Sequence, residues 1–270
     1  MKTVVYQSYR THDVPDWIGH CMETVRSWAR SQGYDYHFFD DRFFDLLPTW
    51  FRECLAGRIL PMTDLARLKA AQSLFVEGYW RAIWVDADVV IFDPERFSVD
   101  TQYGYAFCRE VWLEKRWGTL VSDQRVNNCV IVLQEDNSFL DFYIHACEAL
   151  ARSAGARLTD WDLGTNFLSN LGRLVPLPLL TGVGMLSPAV IQALVEDDQA
   201  VLARFATDHG HTLSAGNMCG SASEKLGDSG RHTQEVLAAA FGKLLESRGQ
   251  ILNRHLIREV ILPARKSPGN

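Results

Sequence analysis

The amino-acid sequence predicts an α/β protein. Short apolar runs alternate with helix-length amphipathic segments through the first half of the chain. Two carboxylates interrupt the third of those runs at its end, in Trp84-Val85-Asp86-Ala87-Asp88-Val89-Val90-Ile91-Phe92. Size and composition agree with a globular catalytic or binding domain. The chain has 270 residues, 47% hydrophobic and 22% charged, enough for one large domain with a sizeable core.

The elements are expected in this order. Residues 3–8 read as a first buried strand. A helix begins near Pro15, because proline is tolerated in a first turn, and runs to about Gln32, where Gly33 stops it. Residues 35–40 read as a second strand. The next helix covers 63–77, with Thr63 or Asp64 as its cap, Gly78 as its end, and Leu65, Leu68, Phe75 and Val76 as its apolar stripe. A third strand, 82–85, follows directly. Further strands are expected at 103–108 and 127–133, and a helix at 137–151. Farther on, 187–196 reads as a helix with Ser187 as cap and Pro188 in its first turn. Residues 213–230, rich in Gly, Ser and Asn, read as a loop, and two helices at 231–247 and 250–262 close the chain. The domain expectation is a catalytic body at 1–225 and a helical extension at 226–270.

The net charge of −6 and pI near 5.7 argue against a nucleic-acid partner, which calls for a basic stripe. Cys21, Cys54, Cys108, Cys129, Cys147 and Cys219 contain no CxxC pair and read as reduced thiols. The opening Met1-Lys2-Thr3-Val4-Val5-Tyr6 has too short an apolar stretch for a signal peptide, and no segment reaches a membrane-spanning length. A cytoplasmic location is expected.

Asp86 and Asp88 sit inside an apolar run. Buried carboxylates are expensive unless something positive holds them, and ligands of open α/β sheets collect beyond the carboxyl ends of strands. If the chain is extended there, both side chains leave the same side. A divalent Mn²⁺ or Mg²⁺ accounts for such a pair, since both ions take oxygen ligands and share substrate phosphates. On the helix before this strand, Asp64 and Arg67 are three residues apart on one face. They read either as a surface ion pair or as donor-binding groups.

These residues resemble a known family. Val4-Val5-Tyr6-Gln7-Ser8-Tyr9-Arg10-Thr11, then Val14-Pro15, Trp17, Tyr36 and Phe39-Asp40-Asp41, look like the start of the DxD-containing sugar transferases. That family includes the initiation-specific mannosyltransferases and, more distantly, the glucosylating clostridial toxins. Thr63-Asp64-Leu65-Ala66-Arg67 resembles its Asp-x-x-Arg helix, and Asp86-Ala87-Asp88 its DxD. Asn127-Asn128-Cys129-Val130-Ile131 resembles the strand where an Asn faces the donor sugar. The similarity spans about 3–150, in the right order.

There are departures. The usual Gly-Gly pair before the DxD strand is missing, and Glu77-Gly78-Tyr79-Trp80-Arg81-Ala82-Ile83 looks more like the glycogenin-type transferases. Those relatives carry a late His as a third metal ligand. His209 or His211, after an expected strand in Ala206-Thr207-Asp208-His209-Gly210-His211, would fill that place or be a solvated loop residue. Asp162 falls where such enzymes place an acceptor-side loop. Gly164-Thr165 replaces the family's Gly-Pro there, and a capping or turn role for Asp160 and Asp162 stands beside the catalytic one.

The resemblance implies a GT-A fold: a mixed, mainly parallel sheet flanked by helices. It implies transfer of a hexose from a nucleotide-diphosphate sugar, a UDP-sugar, to an acceptor hydroxyl with retention, as in polysaccharide or glycoconjugate synthesis. Gln7 and Ser8 would seat the nucleotide. Asp88 would bind the metal and Asp86 the metal or the ribose, while Asp64, Arg67 and Asn128 would hold the donor sugar. The acceptor would be a glycan, a lipid-linked molecule or a small molecule. Two rivals are a sugar nucleotidyltransferase, which would show a glycine-rich loop after the first strand, and a non-catalytic sugar- or nucleotide-binding module. Arg254, Arg258, Arg265 and Lys266 alternate with apolar residues over 250–266. Such a helix either packs on the body or rests on an anionic membrane surface.

Overall fold

A computed structural model of the protein describes residues 1–55, 57–222 and 230–261. The first half alternates as expected: β1 (Thr3–Ser8), α1 (Asp16–Ser31), β2 (Asp35–Phe39), a short α2 (Thr49–Cys54), α3 (Ile59–Val76) and β3 (Arg81–Val85). Then come β4 (Val89–Ile91), β5 (Tyr105–Arg116), β6 (Thr119–Gln134) and α4 (Phe139–Ala154). The second half contains α5 (Thr165–Leu174), β7 (Leu179–Leu180), β8 (Val183–Met185), α6 (Pro188–Glu196), α7 (Gln199–His209), β9 (Ala215–Asn217), α8 (Gly230–Glu246) and α9 (Gln250–Ile261).

Six strands form the main sheet in the order β2-β1-β3-β6-β5-β7. β1 pairs parallel with β2 and β3, β6 is antiparallel to β3 and β5, and β7 is parallel to β5. β6 alone therefore runs against the rest. A smaller sheet, β4-β9-β8, takes up the chain just after β3. This is the mixed, mainly parallel sheet with flanking helices expected of a GT-A-like fold.

Period-two alternation sends β1 to two cores. Val4 and Tyr6 pack with Leu65, Leu68 and Ala71 of α3 and with Tyr143 and Ile144 of α4. Val5 packs on the opposite face with Val25, Trp28 and Ala29 of α1 and with the small sheet. A third cluster joins Trp17 and Ile18 of α1, Val190 and Ile191 of α6, Leu237 and Leu244 of α8, and Leu252 of α9. Gly33 ends α1 at φ +68, with its N–H on Arg30 and the Tyr34 N–H on Ala29. A left-handed residue that closes a helix in this way favours glycine.

Several expectations change. α3 starts at Ile59, a turn early. Pro61 falls in the first turn, where a missing N–H costs nothing, and neither Thr63 nor Asp64 is the cap. Residues 206–209 belong to helix α7 and not to a strand. Asp198 caps α7 through Ala200 and Val201, and Gly210 closes it at φ +70. The stretch 213–230 contains strand β9, held between β4 and β8. The closing helices agree closely with α8 and α9. The boundary near 225 lies outside the described residues, as do Leu262, Arg265 and Lys266 of the basic tail. No helix among the described residues is long and apolar enough to cross a membrane. All six cysteines are free.

The strands expected at 103–108 and 127–133 extend into one long β5–β6 hairpin. Its two-residue turn is Trp117-Gly118, with φ of +47 and +81. Both central residues at positive φ define a type I′ turn, which favours Asn-Gly. The Trp117 side chain is fully exposed and gains no packing in return. Trp117→Asn is therefore expected to stabilise the protein by on the order of 1 kcal/mol. Differential scanning calorimetry would read this as a Tm increase of about 2–4 °C.

Candidate active site

The Asp86-Ala87-Asp88 segment lies beyond the carboxyl end of β3, beside the end of β1. It is a tight turn and not the extended segment expected. The Val89 N–H donates to the Asp86 carbonyl at 3.1 Å. The cause is topological: β3 belongs to the main sheet and β4 to the small one, so the chain must turn between them. Gln7 braces the turn, donating from Nε2 to the same carbonyl at 3.2 Å while its Oε1 accepts from Tyr36 Oη at 2.9 Å. The Gln7 side chain is fully buried and both ends are engaged, so it supports the turn. Ser8 is the last residue of β1, opposite Phe39.

Asp64 and Arg67 point inward from α3, 5% and 4% exposed, so they are no surface pair. Arg67 Nη1 donates to the Asn128 carbonyl at 2.7 Å and lies 3.1 Å from Asp86 Oδ1. Its Nη2 lies 3.3 Å from Asp64 Oδ1. The guanidinium sits over the Trp84 ring, 5.0 Å from the centroid, and Trp84 Nε1 donates to Asp86 Oδ1 at 2.6 Å. Asn128 Nδ2 donates to Asp64 Oδ1 at 2.8 Å. Tyr6 Oη donates to the Arg67 carbonyl at 2.7 Å. Burial opposes the charge on Arg67, but the Asp86 and Asp64 carboxylates outweigh it and raise its pKa.

The carboxylates feel the opposite balance. Burial pushes Asp64 up to about 6 despite Arg67 and Asn128. Burial also raises Asp86, against the pull of Arg67 and the Trp84 N–H. Asp88 is pushed up to about 6 by burial and then by repulsion from Asp86. Asp88 Oδ2 accepts the Gly220 backbone N–H at 2.9 Å, and its Oδ1 accepts from Asn217 Nδ2 at 3.2 Å.

Other expected residues lie elsewhere. Asp162 Oδ1 accepts from Asn166 Nδ2 at 2.9 Å and its Oδ2 from the Thr159 N–H at 2.5 Å. Those bonds hold its carboxyl below the usual range although burial opposes them. The capping alternative thus describes its contacts. The same loop instead delivers Gly164, where a Cβ would lie 2.9 Å from Asp64 Oδ2 and 3.0 Å from Asn128 Nδ2. His209 is fully buried on the last turn of α7. Its imidazole is pushed down to about 4 by burial, then by Arg109 and His211. His211 Nε2 is 3.3 Å from Arg109 Nη1. Neither joins Asp86 and Asp88: among the described residues no three His, Cys, Asp or Glu side chains gather as a metal group.

Asn217, Gly220 and Gly164 were not anticipated. Ala215-Gly216-Asn217-Met218 mixes small, polar and apolar residues and carries no clear local sign of β9, which its pairing with β4 and β8 defines.

The donor set can be tested for a divalent cation. Asp64, Asp86 and Asp88 face a single guanidinium, Arg67, so negative charge is in excess. Around Asp88 the hard oxygens come from the Asp86 and Asp88 carboxylates, while Asn217 turns its Nδ2 to Asp88 and its Oδ1 accepts the Cys219 N–H at 2.7 Å. That chemistry fits Mg²⁺ or Mn²⁺, which commonly bind through one or two carboxylates plus substrate phosphates.

No protein-family model and no curated protein matches the sequence. Among solved structures, the chain is similar to a glycosyltransferase involved in the glycosylation of the major capsid of PBCV-1. That match has 11% identity and a TM-score of 0.48, and covers 88% of this chain and 100% of that one. It is also similar to A197 from STIV, with 12% identity and a TM-score of 0.26, covering 52% of this chain and 68% of that one.

Two outcomes are expected from this geometry. Arg67→Met leaves buried carboxylates unpaired and lowers stability by about 3–5 kcal/mol in urea unfolding. The Asp88 carboxyl, raised to about 6 in the folded state, contributes stability that is full below its ordinary 3.8 and is lost as pH rises through about 6. Asp88→Asn mimics the protonated form. Without added metal, its Tm should match the wild type near pH 4 and exceed it at pH 7.5. Parallel Tm profiles would refute the assignment.

Proposed function

We propose that the protein is a metal-dependent glycosyltransferase, moving a hexose from a nucleotide-diphosphate sugar, a UDP-sugar, to an acceptor hydroxyl. The observation that carries this reading is the buried network of Asp64, Arg67, Asp86 and Asn128, joined to the Asp86–Asp88 turn at the carboxyl ends of β1 and β3. That is where ligands of open α/β sheets collect.

Asp88, with Asp86 beside it, would hold Mn²⁺ or Mg²⁺. When bound, such a cation supplies Lewis-acid stabilisation of the departing nucleoside diphosphate. The protein groups do the positioning. Gln7 keeps the turn fixed from below, and Asn217 and the Gly220 N–H orient the Asp88 carboxylate. Asp64 and Asn128, bonded to each other, would present donor and acceptor atoms to sugar hydroxyls, and Gly164 lets the start of α5 approach that pair, since a Cβ there would lie 2.9 Å from Asp64 Oδ2. The reading includes retention of anomeric configuration. The bond from the anomeric carbon to phosphate breaks, the bond to the acceptor oxygen forms on the same face, and the acceptor proton goes to the departing phosphate. The absence of glycine from Gln7-Ser8-Tyr9-Arg10-Thr11 favours transfer over nucleotidyl transfer.

Thermal shift with UDP, GDP and CDP, each with and without Mn²⁺, tests the reading. A ligand at 100 times its Kd adds about 2.7 kcal/mol of stability. UDP with Mn²⁺ is expected to raise Tm at pH 7.5, and Asp88→Asn to remove the shift. No shift with any nucleotide would move a non-catalytic module ahead.

A further inference from the structure

A second buried cluster stands beside the Arg67 network, and the donor-side reading leaves it unused. Glu110 of β5 is 3% exposed. Its Oε2 accepts from Asn127 Nδ2 at 2.6 Å, while its Oε1 lies 3.8 Å from Arg125 Nη1, beyond hydrogen-bond reach. Asn127 is fixed in turn. Its Oδ1 accepts the Cys129 N–H at 2.7 Å, and its Nδ2 reaches Thr165 Oγ1 at 3.4 Å. A buried carboxylate needs strong polar partners. One neutral amide and one distant guanidinium are thin compensation, and burial pushes the Glu110 carboxyl up.

The place of this cluster matters more than its charge. Asn127 precedes Asn128, which holds Asp64, and Thr165 follows Gly164, which lies against Asp64 and Asn128. The two clusters are thus neighbours along β6 and at the start of α5. Asn127 Nδ2, 2.6 Å from Glu110 Oε2 and 3.4 Å from Thr165 Oγ1, therefore ties Glu110 to the start of α5, whose Gly164 lies against Asp64 and Asn128.

We propose that Glu110 binds the acceptor: its carboxylate accepts a hydrogen bond from a hydroxyl of a sugar or related polyol, held in register by Asn127. This rests on the glycosyl-transfer reading. A hydrogen bond to an ionised acceptor is about twice as strong as a neutral one, so the isosteric Glu110→Gln keeps the shape of the site and weakens that bond.

The test uses the full chain with Mn²⁺ and UDP-glucose or UDP-galactose. Three quantities are read: the Tm shift with UDP, release of free hexose to water, and transfer to a panel of methyl glycosides and glycerol. Glu110→Gln is expected to keep the UDP shift and the hydrolysis rate of the wild type and to raise the KM for the acceptor at least tenfold. Glu110→Ala should raise it further, and if that variant fails to fold the Gln variant decides alone. An acceptor KM within twofold of the wild type overturns the inference while leaving the transferase reading intact. Loss of the UDP shift in Glu110→Gln also overturns it, because Glu110 then serves the donor side. Wild-type hydrolysis without transfer to any glycoside or polyol overturns the acceptor class. A wild type that binds no nucleotide removes the transferase reading and this inference together.

Discussion

The buried Arg67 guanidinium ties together three parts of the chain that are far apart in sequence. It lies on α3, bonds the backbone of β6 at Asn128, and meets the turn after β3 at Asp86. A desolvated charge tolerates little freedom, because each partner it loses leaves a polar group stranded. Its surroundings are correspondingly fixed. Trp84 lies beneath the guanidinium and donates to Asp86, and Tyr6 pins the Arg67 carbonyl to β1. Arg67 thus links α3, the sheet and the carboxylate turn, on top of the apolar packing of Leu65, Leu68 and Ala71 against β1.

The second constraint is the change of sheet after β3. The chain leaves the six-stranded sheet at Val85 and joins the small sheet at Val89, so Asp86 and Asp88 occupy a turn at the strand ends. The small sheet then does more than cover the core. β9 brings Asn217 opposite Val89, and the residues after it bring the Gly220 N–H to Asp88. Glycine is needed there for space, since a Cβ on Gly220 would lie 2.9 Å from the Trp17 ring.

The C-terminal helices reach the same place indirectly. Gln234 of α8 accepts from Trp17 Nε1 at 2.5 Å, and Trp17 packs against Gly220, which holds Asp88. Asn253 of α9 clamps the backbone of Leu213 with paired bonds of 2.9 and 2.8 Å, just ahead of β9. Both helices therefore buttress the strand and loop that orient the carboxylate pair.

The sequence alone determined the parallel half of the fold. β1, β2, β3 and α1 declare themselves through short apolar runs, a helix-length amphipathic segment, and Gly33 and Gly78, because local sterics and burial act over a few residues. The Asp86-Ala87-Asp88 motif was legible for the same reason: carboxylates in an apolar run are a local contradiction that calls for a partner. Tertiary structure decided the rest. Whether Asp64 and Arg67 faced water or the interior depended on which side of α3 met the sheet. The β5–β6 hairpin, turned at Trp117-Gly118 without an Asn-Gly signal, set Glu110 beside Asn127 across a distance that no local pattern records. His209 looked like a metal ligand and Asp162 like an acceptor-side residue, with a turn role as its alternative; His209 is buried at a helix end and Asp162 makes turn contacts to Thr159 and Asn166. Asn217, Gly164 and Gly220 came beside Asp88, Asp64 and Asn128 only through strand pairing and close packing. Those are long-range contacts, and a single sequence encodes them only in the sum of its burial.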